Sequence, residues 1–120
     1  MKVKVSELTG TALDWAVAKC EGYVEEGVYG EPKIIDGCLH LHYCDVVLSS
    51  DFKPTTDWRD GGPIIERENI SPRSCGDGSW VADWYFGDEM CAGPSPLIAA
   101  MRCYVASKLG NEVEIPKELT

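Results

Sequence analysis

Apolar positions near the start of the chain recur at helical spacing. Leu13, Ala16, Val17, Cys20 and Val24 fall on one stripe. Thr9 or Thr11 can cap it, Asp14 stands three residues after Thr11, and Gly22 supplies a stop. This pattern predicts a helix from about Thr9 to Glu21, with Trp15 off the stripe. The period then shortens to two. Lys33-Ile34-Ile35 and Cys38 to Tyr43 flank Asp36-Gly37, a dipeptide that tolerates the positive φ of a hairpin turn. Asp45 to Leu48 either extends the second strand or forms its own. From Ser49 to Gly62 the chain is polar and carries Pro54, paired threonines and Gly61-Gly62, which reads as a long loop bearing Trp58. Pro63 suits the first turn of a short helix through about Glu68, an extended segment being the alternative. Ser71 to Ser79 reads as another loop. Trp80 to Phe86 alternates, so Trp80, Ala82, Trp84 and Phe86 share one face of a strand. Ser95 and Pro96 open a last helix that Gly110 ends, and Val113 to Ile115 forms a short strand before Pro116.

Strands and helices without a regular βαβ rhythm give an α+β class. The expected architecture is a small, mostly antiparallel sheet packed with two main helices (about 9–21 and 95–109) and a short helix near 63–68. A chain of 120 residues fits one domain over 1–120.

Charge narrows the partners. Eleven basic residues stand against 20 acidic ones, a net charge of −9. Phosphate recognition needs a basic surface that releases counterions, so direct DNA or RNA binding is not expected. The acids are scattered in pairs, as Glu25-Glu26 and Glu112 with Glu114, which fits a solvated surface better than nucleic-acid mimicry. The opening residues lack the apolar run of a signal peptide, and no stretch is apolar enough to span a bilayer. Cys20, Cys38, Cys44, Cys75, Cys91 and Cys103 form no C-x-x-C pair, so the expectation is reduced thiols rather than a disulfide framework or zinc finger.

The motifs of phosphate loops, dinucleotide folds, zinc proteases, serine hydrolases and deaminases are missing. Two histidines limit general acid–base schemes. His40, His42 and Cys44 fall at i, i+2 and i+4 and could project as zinc ligands from one strand face. The alternative is a polar strand face opposite Leu39, Leu41 and Tyr43. A fourth ligand has no candidate, so no metal or other cofactor is expected. The segment Thr55 to Arg67 is richer, with an aromatic, paired glycines, acids and arginines within short reach. Asp57, Trp58, Gly61, Gly62, Glu66 and Arg67 are the candidate ligand-binding residues there: glycines permit close approach, and Trp can stack on a ring. The structural alternative places Trp58 in the core, makes Gly61-Gly62 a turn and pairs Glu66 with a local arginine. Arg102 joins the candidates, because helical angles put it inside the apolar arc of the last helix, where a guanidinium must be paired or reach a pocket. An ion pair with Glu66 or Asp83 is the structural reading.

Long stretches of the chain are similar to the NinX-like family of tailed phages. They are Lys4 to Gly22, then Thr56-Asp57-Trp58 through Gly61-Gly62-Pro63-Ile64-Ile65-Glu66-Arg67, and Pro94 to Gly110. Glu25 to Lys53 lies outside the similarity. The resemblance implies a phage or prophage accessory protein working in the host cytoplasm, without an assigned reaction. The leading expectation is a non-enzymatic binder of a small molecule, such as a nucleotide signal, acting as a homo-oligomer. The alternative is a module that binds a host protein. An enzyme using Asp57 or Glu66 with Arg102 ranks last.

Overall fold

The computed structural model describes residues 1–21, 52–84 and 90–115, together with the backbone strands 33–35, 38–43 and 46–49. In chain order the elements are β1 (Lys2–Lys4), a 3-10 turn (Val5–Glu7), α1 (Gly10–Cys20), β2 (Lys33–Ile35), β3 (Cys38–Tyr43) and β4 (Val46–Ser49). They continue with α2 (Trp58–Glu68), β5 (Ile70–Ser74), β6 (Trp80–Trp84), β7 (Met90–Gly93), α3 (Pro96–Leu109) and β8 (Glu112–Glu114). Among the described residues all strand pairing is antiparallel: β1 with β8, the meander β2-β3-β4, and the meander β5-β6-β7. The fold is α+β.

α3 is the centre of the core. Leu97, Ala99, Ala100, Met101, Arg102, Cys103, Tyr104 and Val105 are all buried, because the helix touches the β5-β6-β7 sheet on one side and α1 and α2 on others. Ser95 Oγ accepts the Ile98 N–H at 3.2 Å, Pro96 takes the first turn, and Gly110 ends the helix with φ of 87°. Each of these is the feature expected from sequence. The alternation in β6 also holds over its described residues: Ala82 is fully buried while Trp80 and Trp84 pack against the core beside it.

α1 runs from Gly10 rather than Thr9, and Thr9 makes no side-chain cap. The single stripe expected for it is too narrow. Asp14, Trp15 and Ala18 are buried along with Leu13, Ala16 and Val17, since this helix is covered on more than one side. Val24 and Gly22 lie outside the described residues, as do Asp36-Gly37, Cys44 and Phe86. The hairpin strands themselves form in register Lys33↔His40 to Ile35↔Cys38.

Two segments read as loops are regular structure. Ser71 to Ser74 belongs to β5, an edge strand where Pro72 removes no ladder donor that the sheet needs. The short helix expected near 63–68 begins five residues earlier, at Trp58, as α2. Gly61-Gly62 is therefore helical rather than a turn. Pro63 sits inside the helix, where it forfeits one backbone bond to Arg59.

Candidate functional site

What starts α2 is a local cap, and what retains it is a tertiary fit. Asp57 Oδ1 accepts the Arg59 N–H at 2.9 Å, and the Asp57 carbonyl receives the N–H groups of Asp60 and Gly61. A Cβ at Gly61 would lie 2.5 Å from the Pro54 carbonyl oxygen and 2.7 Å from Leu97 Cδ2. Only glycine permits that contact between α2, the preceding turn and α3. Asp60 Oδ2 accepts the Lys53 N–H at 3.0 Å and closes the turn from below.

Trp58 is 54% exposed, so it does not plug the core. A Cβ at Gly62 would lie 3.9 Å from Trp58 Cε3, which puts the indole alongside the glycine. Trp58, Gly62 and Glu66 follow at four-residue spacing on one side of α2, and Arg59, Pro63 and Glu66 are also exposed. Arg59 pairs with Asp57 at 3.3 Å. No ion pair engages Glu66 among the described residues, and so the expected pairing with a local arginine is not seen.

Arg67 faces away from this surface. Its guanidinium grips both oxygens of Glu21, reaches the Tyr104 hydroxyl at 3.2 Å, and bonds Glu68 Oε2 at 3.1 Å through Nε. Tyr104 donates to Glu21 Oε1 at 3.0 Å, and Lys108 pairs with Glu68 at 3.2 Å. Burial and its bond to Glu21 hold the Tyr104 phenol above its usual range. Burial alone would raise Glu68, but the bonds from Arg67 and Lys108 outweigh it and leave it lowered. This network ties the ends of α1 and α2 to α3.

Arg102 is buried where helical angles put it, yet it pairs with neither Glu66 nor Asp83. Nε donates to the Leu8 carbonyl at 2.9 Å and Nη1 to the Ala92 carbonyl at 2.8 Å. Asp83 instead accepts from Arg73 at 3.0 Å. The ion-pair expectation fails because backbone acceptors, which carry no sequence signal, occupy the guanidinium first. Burial lowers the Arg102 pKa, with Cys91 acting in the opposite direction.

The seven candidates therefore do not meet in one pocket. Trp58, Gly62 and Glu66 share one side of α2, Asp57 caps its start, Gly61 is a packing contact, Arg67 joins the three helices, and Arg102 ties α3 to the segments before α1 and in β7. Two features escaped the sequence reading. Asp14, 5% exposed, accepts the Thr55 N–H at 3.0 Å. Burial raises its pKa to about 6 against the opposing pull of Thr55, with Asp60 adding and Lys53 subtracting. Thr55 Oγ1 is buried there without a hydrogen-bond partner. The other is a half-open cavity of about 250 Å³ lined by Lys4, Val5, Met90, Cys91, Ala106 and Glu112 among others. Neither had a signal in spacing, since both join segments distant in sequence. Among the described residues no group of three or more His, Cys, Asp or Glu side chains could hold a metal ion. The His40, His42 and Cys44 side chains lie outside them. No helix among the described residues is long and apolar enough to cross a membrane.

The described residues form an α+β fold arranged around α3, with Trp58 exposed on α2. The chain matches the family described as "Bacteriophage P22, NinX" over residues 4–108 and belongs to it. No curated protein matches the chain.

Proposed function

We propose that this phage-family protein acts in the host cytoplasm as an interaction module, docking a host protein onto the Trp58 side of α2. The observation that carries the reading is Trp58 itself, an indole 54% exposed on a helix whose start is fixed by the Asp57 cap and the Gly61 contact. A rigidly mounted aromatic loses little conformational entropy on binding, and Trp and Arg dominate interface hot spots. Asp57 and Arg59 flank it at the helix start and Glu66 lies two turns along the same side, which suits a partner with an apolar pocket rimmed by basic side chains. An anionic small molecule is less well served, because Arg67 and Arg102 are engaged elsewhere.

The test is affinity capture from a bacterial host with wild-type and Trp58→Ala protein. Loss of a hot-spot Trp costs at least about 2 kcal/mol, roughly 30-fold in Kd. Equal recovery of a partner by both proteins, or recovery of none, rejects the reading. A second reading, stacking of a planar small molecule on Trp58, draws on the indole lying open beside Gly62. Native mass spectrometry of gently purified protein checks it, since a bound ligand adds a reproducible mass and a homo-oligomer appears directly.

A further inference from the structure

Cys91 and Cys103 are reduced thiols on adjoining elements, β7 and α3. α3 follows β7 through Pro94-Ser95 and runs back along it. They lie close at Gly93, where a Cβ would be 2.7 Å from Ala99 N and 3.1 Å from Ala99 Cα. Two residues back along the strand, about 6.7 Å, reach Cys91. Four residues on along the helix, about 6 Å, reach Cys103. The steps match, so the contact that glycine permits at one level brings the two cysteines together at the next. The register agrees: Cys91 lies opposite Ala82, whose side chain is fully buried under α3. The Cys103 thiol hydrogen-bonds Cys91, and with burial this pushes Cys103 up.

The surroundings of the two sulfurs differ. Cys103 is 4% exposed, whereas Cys91 is half-buried and lines the cavity together with Lys4 and Met90. The Arg102 guanidinium is bonded to the carbonyl of the next residue, Ala92, and interacts electrostatically with Cys91. A buried cation with backbone partners only, a lysine on the cavity wall and a thiol donor all favour negative charge on the Cys91 sulfur. Against them stand Glu112, which is paired across the strands with Lys4, and Asp83, which is engaged by Arg73.

We propose that Cys91 is a covalent modification site for low-molecular-weight disulfides entering the cavity, with Cys103 as its resolving thiol. The Cys91 thiolate attacks one sulfur of the incoming disulfide. Its S–S bond breaks, a mixed disulfide forms on Cys91, and the other half leaves as a thiolate. Cys103 then attacks the Cys91 sulfur, and its proton goes to the second departing thiolate. Two protein thiols are oxidised to one disulfide, and one external disulfide is reduced to two thiols.

The experiment is peptide mapping of the reduced full-length chain after timed exposure to glutathione disulfide, quenched in acid. Exposed Cys75 is the internal reference. Cys91, although less exposed, is expected to react faster than Cys75. Wild-type protein is then expected to accumulate a Cys91–Cys103 cross-linked peptide, and Cys103→Ser to accumulate glutathione on Cys91. Slower reaction at Cys91 than at Cys75 overturns the proposal, as does a wild-type map without the cross-link. The wild-type map requires no substitution, so misfolding of Cys103→Ser leaves the test decisive.

Discussion

At Asp14 a carboxylate faces α1's packed side instead of water, and burial raises its pKa to about 6 from an ordinary 3.8. The raised value means that the folded state holds this proton more tightly than the unfolded chain. Its stabilising effect is complete below the unfolded value and is lost as pH rises through about 6. Wild-type stability relative to Asp14→Asn is therefore expected to fall by about 3 kcal/mol between pH 3.5 and pH 7, read from urea unfolding at each pH. A difference that stays flat with pH would rule out this titration. Asp14→Asn can still accept the Thr55 N–H and can offer a donor to the buried Thr55 hydroxyl, so it should be milder than Asp14→Ala at pH 7. Arg102 makes a second case. Arg102→Met leaves the Leu8 and Ala92 carbonyls without their donor and is expected to cost about 2–3 kcal/mol in the same assay. The position of Arg102 in the apolar arc was legible from helical angles, but its partners were not, since any residue can supply a carbonyl. Asp14 was legible only as a polar residue near a helix start, because burial comes from the distant 52–57 segment.

Among the elements, α3 and β6 were readable because their signals are local: a cap, a proline and a glycine for one, alternation for the other. α2 was half readable. Gly61-Gly62-Pro63 carries the signature of a turn, and helix propensity alone would exclude it. The helix forms through Gly61 because α2, Pro54 and Leu97 close on a space that admits no methyl group. The neighbouring glycines should consequently respond in opposite directions. Gly61→Ala is expected to destabilise by about 1–3 kcal/mol through overpacking against a backbone oxygen. Gly62→Ala meets nothing nearer than 3.9 Å and should stabilise by about 0.5–1 kcal/mol, the helical preference for alanine. Thermal unfolding of the pair separates the two effects, and like shifts would contradict the packing account. β5 and β7 were not legible, since Pro72 in one and the shortness of the other erase the alternation on which strands are recognised.

For the molecule as a whole, the Arg67 network binds three helices whose contacts are otherwise apolar. Arg67 is half exposed, and solvent screens much of the attraction. Arg67→Gln is expected to cost about 1 kcal/mol, a lowering of Tm by about 4 °C, with the loss shrinking at high salt. A salt-independent loss would instead assign the role of Arg67 to packing over Tyr104. The α+β class was legible across the chain and the family outside Glu25 to Lys53, while the dispersal of the candidate site residues was not. Sequence proximity joined residues that α2 distributes around its circumference, and only Trp58, Gly62 and Glu66 emerge on the same side.

The position of α3 has a consequence for synthesis. α1, α2 and the β5-β6-β7 sheet all bury apolar surface against a helix that the ribosome makes after them, and β1 waits still longer for a partner strand (Met1 and Glu114 lie 113 positions apart). At roughly 5–20 residues per second, the earlier segments stand without their core for on the order of ten seconds. A ribosome-stalled chain ending before Pro96 should remain open to protease, and one extended past Glu114 and clear of the exit tunnel should become resistant.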